Sequence, residues 1–321
     1  MIKYLYILTS DETDYYTEQA LMSITSLKMR MPDTFVSLLI DDVTEKTLTG
    51  KRGTILESVN ELKIAEVDPQ FNRKARSRWL KTSMRRHIKG DFLYIDCDTV
   101  ICEDLSDIEK TTIDLGAVLD EHILLRECSI RKNVQSSEMF NFNFTFLDNY
   151  YNSGVIFCKD ISICHSFFEE WHKLWLNNIS KGIIDQPSFN QANKNFDGII
   201  KEMDGIWNCQ IPLGGLVFLV NSKIIHYIST IKNNNPYTMA DPSLLKKIKE
   251  YGIDNDVIEK YLLHPKTNFY FHTRMITNKK TLEAMFSLQF QILKRIYNWK
   301  CIQLIEKCLQ VIYNAMRKNK K

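Results

Sequence analysis

Long apolar runs are missing from this 321-residue sequence: no segment approaches the ~18 uninterrupted apolar residues that a membrane-spanning helix needs. The apolar start, Met1 to Thr9, is too short for a secretory leader and has no small-residue cleavage site. It runs straight into Asp11 and Glu12, and is read as a first strand. Closely spaced cysteines are missing too. The eight cysteines (Cys97, Cys102, Cys128, Cys158, Cys164, Cys209, Cys301, Cys308) contain no CxxC pair and no metal-ligand spacing. That pattern argues against a cysteine-based metal site. Without an export signal it points to reduced, mostly buried thiols and a cytoplasmic location. There is no internal repeat and no low-complexity tract. What is there, 44% hydrophobic and 25% charged residues, suits a globular chain long enough to bury a sizeable core.

Charge is unevenly placed. From Lys279 to Lys321 ten basic residues face two acidic ones, a net +8; with +3 for the whole chain, the first 278 residues carry −5. The asymmetry belongs to the C-terminal segment alone, and no nucleic-acid partner is expected.

Over the first 120 residues short apolar runs alternate with helical patterns. Strands are expected over 3–9, 35–40, 62–67 and 92–95, with helices over 15–29 and 76–88 and a helical stretch from Thr44. Further strands are expected over 115–119, 155–158 and 223–227, and helices over 161–176 and 187–194. The run Asn233-Asn234-Asn235-Pro236 is a break, after which the chain reads as helical. Two regions follow: an α/β domain over 1–235, its sheet mostly parallel and flanked by helices, and a helical region over 236–321. In such sheets ligands bind beyond the carboxyl ends of the strands, where Asp11, Asp96 and Asp98 would lie.

The strongest local signal is Phe92-Leu93-Tyr94-Ile95-Asp96-Cys97-Asp98-Thr99. An apolar strand delivers two carboxylates, one residue apart, onto a loop where both can face one cation. Transfer from a nucleotide sugar needs hard oxygen ligands of this kind, because a divalent cation neutralises the departing diphosphate. The same residues fit the first motif of HAD-type phosphatases, with Asp96 as nucleophile. That motif normally closes the first strand of its domain; here at least three strand–helix units precede it, and no GDxxxD-like motif follows. A catalytically silent nucleotide-sugar-binding protein is the non-enzymatic alternative.

The wider constellation resembles glycosyltransferase family 8, a retaining family with the GT-A fold (a Rossmann-like mixed sheet), over roughly residues 2–235. Leu8-Thr9-Ser10-Asp11, with Tyr16 beyond, is similar to the family's base-binding loop. Arg78 and Lys81 lie where the family has a basic residue near the donor. Ala117-Val118-Leu119-Asp120 resembles the strand after the DxD, Tyr151-Asn152-Ser153-Gly154-Val155 the Phe-Asn-Ser-Gly-Val segment, and Asp185-Gln186 with Asn190 the DQ motif. Trp207-Asn208 resembles a Trp-Asn pair near the acceptor side. Ile224-Ile225-His226 matches the first position of HxxGxxKPW, with Lys232 six residues on, although Ser229 replaces the glycine and Asn233-Asn234 replace Pro-Trp. Taken singly, Gly154 reads as a bulge or a close backbone approach within a strand, Asp185 as a helix cap and His226 as a half-buried strand histidine. Their common order favours the family.

The resemblance implies a hexosyltransferase using a UDP-sugar, a glycan or lipid-linked acceptor, and retention of anomeric configuration. It implies a metal held by Asp96, Asp98 and His226; an imidazole in the set suits Mn²⁺ better than Mg²⁺. Thr9, Asp11, Tyr16, Arg78, Lys81, Asp96, Cys97, Asp120, Asn152, Ser153 and Lys232 would bind the donor, Asp120 and Asn152 by orienting the sugar hydroxyls. Asp185 and Gln186 would lie beneath the sugar. A neutral amide is a poor nucleophile, so front-face attack is expected, with the leaving phosphate taking the acceptor's proton. In the tail, Ile292, Ile296, Trp299, Ile302, Ile305, Leu309, Ile312 and Met316 recur at three- and four-residue steps beside clustered Lys and Arg. This stripe fits peripheral contact with an anionic membrane at its inner face, packing on the domain, or pairing with a second copy.

Overall fold

The computed structural model describes residues 2–125, 140–145, 148–228, 239 and 241–269, and beyond these 287–289, 292, 296, 305 and 308. The chain forms two compact units, Met1–Lys266 and Thr267–Lys321.

The first unit is an α/β layer structure. In chain order it runs β1 (Lys3–Leu8), α1 (Tyr16–Arg30), β2 (Phe35–Asp41), β3 (Glu61–Ala65), α2 (Arg73–His87), β4 (Phe92–Ile95), β5 (Thr99–Ile101) and β6 (Leu115–Leu119). Then come β7 (Tyr151–Cys158), α3 (Ser162–Leu176), α4 (Asp185–Asn195), β8 (Lys201–Glu202), β9 (Cys209–Gln210), β10 (Ile224–His226) and α5 (Pro242–Tyr251). Seven strands form one sheet in the order β3-β2-β1-β4-β7-β6-β8. The pairs β3–β2, β2–β1, β1–β4 and β6–β8 are parallel, and β7 is antiparallel to both β4 and β6. This is the mostly parallel mixed sheet of the GT-A fold.

The central strands are buried on both faces, which is why they read as continuous apolar runs. Tyr4, Tyr6, Leu8, Leu38 and Leu93 face one core, which includes Ala20, Ile24 and Leu27 of α1. Leu5, Ile7, Leu39, Phe92 and Tyr94 face the other, built with Leu80 and Met84 of α2 and Phe167, Phe168 and Trp171 of α3. A second sheet, β5-β10-β9, lies next along the chain from β4, since only Asp96, Cys97 and Asp98 separate β4 from β5.

The structure departs from the sequence reading locally. The helix expected from Arg76 begins at Arg73, because the Asn72 side chain accepts a hydrogen bond from the Ala75 amide (3.0 Å) and caps it one turn earlier. The strand expected from Val155 begins at Tyr151, so Asn152, Ser153 and Gly154 lie inside β7. The helical stretch expected from Thr44 is two single turns, Asp42–Glu45 and Gly50–Gly53. The break at 233–236 lies outside the described residues. In the tail, Leu288, Gln289, Ile292, Ile296, Ile305 and Cys308 are helical, and the rest of the stripe lies outside the described residues.

Candidate active site

The acidic pair occupies the β4–β5 connection at the carboxyl end of the central strand. The Asp96 amide donates to the Gly154 carbonyl (2.8 Å), and the Thr99 hydroxyl to the Asp96 carbonyl (2.9 Å), which fixes the loop. His226 arrives from 130 residues downstream by strand pairing: β10 runs antiparallel to β5 with His226 opposite Thr99, and the Tyr227 amide donates to the Asp98 carbonyl (3.0 Å). His226 Nε2 stands 3.2 Å from Asp98 Oδ1 and 3.9 Å from Asp96 Oδ2. The ligand atoms of all three residues lie within 4.8 Å of one another.

Electrostatics in this cluster favour a cation. Burial raises the Asp96 carboxyl and Asp98 adds to the rise, against the pull of Lys81. Burial disfavours a charged imidazole at His226, but Asp98 and Asp96 outweigh it and raise its pKa. The pair therefore draws positive charge to the imidazole face, and a divalent ion can take that place. Two carboxylates and one imidazole are a donor set that Mn²⁺ accepts. These residues fit a metal.

Beside the cluster opens a cleft of about 260 Å³ lined by Thr9, Tyr16, Arg78, Lys81, Asp96, Cys97, Asp98 and Asp185, all expected from the sequence. Gln19, Arg73, Lys74, Ser77 and Tyr94 line it as well and were not expected. Positions 73, 74, 77, 78 and 81 form one face of α2; starting that helix a turn late hid its first half. The Arg73 guanidinium stacks over the Tyr16 ring (5.0 Å) and pairs with Asp14 (2.7 Å) and Asp11 (3.1 Å). Asp11 thus serves the loop rather than lining the cleft: its carboxylate accepts from the Thr13 hydroxyl and amide, and these bonds together with Arg73 hold it below the usual carboxylate range despite burial.

Lys81 bridges Asp96 (3.1 Å) and Asp185 (3.4 Å), and the Arg78 guanidinium lies 3.4 Å from Asp185. Asp185 is the first residue of α4, and the N-cap position before it is held by Ile184. The Asp185 carboxylate accepts from the Ser153 hydroxyl (2.8 Å). Burial pushes its carboxyl up, but Lys81, Arg78 and Ser153 outweigh this and lower it. Gln186 accepts from the Ser153 amide (3.3 Å). Asp120, at the end of β6, and Asn152 are buried behind the cluster and joined by a 2.8 Å hydrogen bond. Lys232 lies outside the described residues.

Comparison with known proteins follows this geometry. A family model described as Glycosyl transferase family 8 matches residues 8–233. No curated protein matches the sequence. Among solved structures, the galactosyltransferase LgtC, crystallised with donor and acceptor sugar analogues, superposes with a TM-score of 0.54 at 14% identity, covering 81% of this chain and 100% of LgtC. The bifunctional glycosyltransferase WbbM superposes at 0.52 with 16% identity over 81% of this chain, which spans 51% of WbbM. These likenesses carry the fold, and the family match spans most of the first unit with the acidic cluster and the cleft residues named above. The chain belongs to glycosyl transferase family 8 and is a glycosyltransferase.

Proposed function

We propose that the protein transfers a hexose from a UDP-sugar to a glycan or lipid-linked acceptor, with a divalent cation, Mn²⁺ before Mg²⁺, and with retention at the anomeric carbon. The observation that carries this reading is the convergence of Asp96, Asp98 and His226 beside a cleft whose α2 face supplies Arg73, Lys74, Arg78 and Lys81. A cation held by those three side chains would neutralise charge on the departing diphosphate. The basic face of α2 would bind the same anion, and Tyr16, stacked under Arg73, offers a ring to a nucleoside base. Asp185 is tied to Lys81, Arg78 and Ser153, which lowers its basicity and disfavours a covalent glycosyl intermediate. Front-face attack needs no such nucleophile.

The test is turnover on a panel of nucleotide sugars with and without Mn²⁺. Asp96→Ala, Asp98→Ala and His226→Ala are each expected to lower it at least ~100-fold with folding retained. A His226→Ala enzyme of near-wild-type rate in Mn²⁺ removes His226 from the site, and turnover of simple phosphomonoesters without response to any nucleotide sugar replaces the whole reading.

For the tail we propose peripheral contact with an anionic membrane, which suits a lipid-linked acceptor. Among the described residues no helix is long and apolar enough to cross a membrane. Two members of the apolar stripe, Ile292 and Ile305, are exposed, and each basic residue near an anionic surface contributes about 1 kcal/mol. The full chain is expected to sediment with anionic vesicles at low salt and to release as salt rises. Protein that stays in the supernatant at low salt, or dimerises instead, overturns this.

A further inference from the structure

We propose that Asn208 is a positioning residue for the metal site: it accepts the Nδ1 proton of His226 and so keeps the Nε2 lone pair aimed at the cation. The proposal rests on the metal-dependent reading above.

The argument is one of hydrogen-bond direction along a buried chain of four side chains. His226, Asn208, Asn152 and Asp120 are 4%, 0%, 6% and 4% exposed, so their polar atoms must satisfy one another. The Gly154 amide lies 2.9 Å from Asn152 Oδ1. A backbone N–H can only donate, so that atom is the Asn152 oxygen. The other end of the same amide agrees, since Asn152 Nδ2 donates to Asp120 Oδ1 at 2.8 Å and an ionised carboxylate can only accept. Asn152 therefore cannot flip.

The next link inherits this direction. Asn208 lies 2.9 Å from Asn152 Oδ1 and must present its NH₂ there, which turns its own oxygen toward His226. That oxygen is 2.8 Å from Nδ1. Two acceptors at this distance would repel, so Nδ1 carries a proton, and the neutral ring then has its lone pair on Nε2. Nε2 is the atom that faces Asp98 and Asp96. The orientation set by a glycine amide and a buried carboxylate is thus passed through two amides to a metal ligand. An imidazole ligand needs such an outer partner to fix its ring and tautomer.

Asn208 touches neither the cleft nor, by this geometry, the cation, and its effect is read best in metal affinity without any sugar donor. The dissociation constant of Mn²⁺ for the full chain is measured from the free-ion electron paramagnetic resonance signal. Asn208→Leu is expected to raise it about 10–100-fold, and to replace a single Nδ1-protonated form in the imidazole ¹⁵N spectrum of metal-free protein by a mixture of tautomers. If Asn208→Leu does not fold, Asn208→Ser, too short to reach Nδ1, carries the same expectation as the leucine. A folded leucine or serine variant with wild-type affinity overturns the proposal, as does a wild-type His226 protonated at Nε2 alone in the metal-free protein. Absence of saturable Mn²⁺ binding by wild-type protein overturns the metal reading itself, and the role of Asn208 with it.

Discussion

Gly154 sits where a side chain has no room. A Cβ built on it would lie 2.3 Å from His226 Cε1, 2.8 Å from Asp96 Oδ2 and 2.9 Å from Asn152 Oδ1. Of the two readings open from sequence, bulge or close approach, the structure shows both: the β6–β7 register shifts between Ala117 and Leu119, opposite the part of β7 that holds Gly154, and what approaches closely is the acidic cluster. Gly154→Ala must displace the imidazole or the Asp96 carboxylate, because the Asn152 amide is fixed from both ends. The expected outcome is at least ~100-fold lower turnover, since a displacement near 1 Å in a reacting constellation costs on that order. Mn²⁺ binding should weaken in parallel, and overpacking should cost ~1–3 kcal/mol of stability. Wild-type Mn²⁺ affinity in the alanine variant would show that the cluster has slack there. Asn208 shows the opposite case for legibility. Its motif stood out in the sequence, but a role on the acceptor side was the expectation, and only the β9–β10 pairing brings it against His226.

At the scale of elements, the cleft depends on how α1, α2 and the Gly50–Gly53 turn hold the loop after β1. Arg52, from that turn, is buried against Glu18 of α1, with Nε at 2.6 Å from Oε1 and Nη2 at 2.9 Å from Oε2. Its guanidinium also donates to the Asp11 carbonyl (2.7 Å) and the Asp14 carbonyl (2.5 Å), so one side chain ties both ends of the loop to α1. Nothing in the sequence marks Arg52; the pair is 34 residues apart, joining a helix to a turn that read as part of a longer helix. Removing one partner strands a buried charge. Arg52→Met is expected to cost about 3–5 kcal/mol in denaturant unfolding, and Arg52→Met combined with Glu18→Gln to cost less than Arg52→Met alone. A loss below ~1 kcal/mol for the single variant would mean that water reaches Glu18. Element ends follow the same logic. Asn72 moved the start of α2 back one turn, and that turn holds Arg73 and Lys74.

For the molecule as a whole, the α/β class was legible because buried strands and helices differ in period and the first 120 residues alternate them. The second sheet was not, since β5, β9 and β10 have three, two and three residues, too few for any period. The acidic cluster was legible in part through Asp96 and Asp98, which share one loop; His226 needed the order of several motifs, because its nearness is set by pairing across the fold. The two-sided core also holds a group that makes stability fall in acid. His172 is 3% exposed, in the layer between α2 and α3, with Nδ1 2.7 Å from the Thr82 hydroxyl oxygen. Burial first, then Arg86, lowers its pKa to about 4. The folded protein thus keeps His172 neutral well below 6.5, while the unfolded chain takes up its proton near that value. Below pH 6.5 the unfolded state binds more protons, so this stabilisation is present above 6.5 and is lost as pH falls toward 4, by roughly 3 kcal/mol for this one group. His87, lowered by burial, has the same sign; His226, raised, has the opposite one, and its contribution is lost as pH rises. The comparison that isolates His172 is urea unfolding of wild type and His172→Gln at pH 7, 6, 5 and 4. The wild type should lose more stability over that range than the variant, the difference approaching the same few kcal/mol. Parallel curves for the two proteins would place the acid sensitivity elsewhere in the fold.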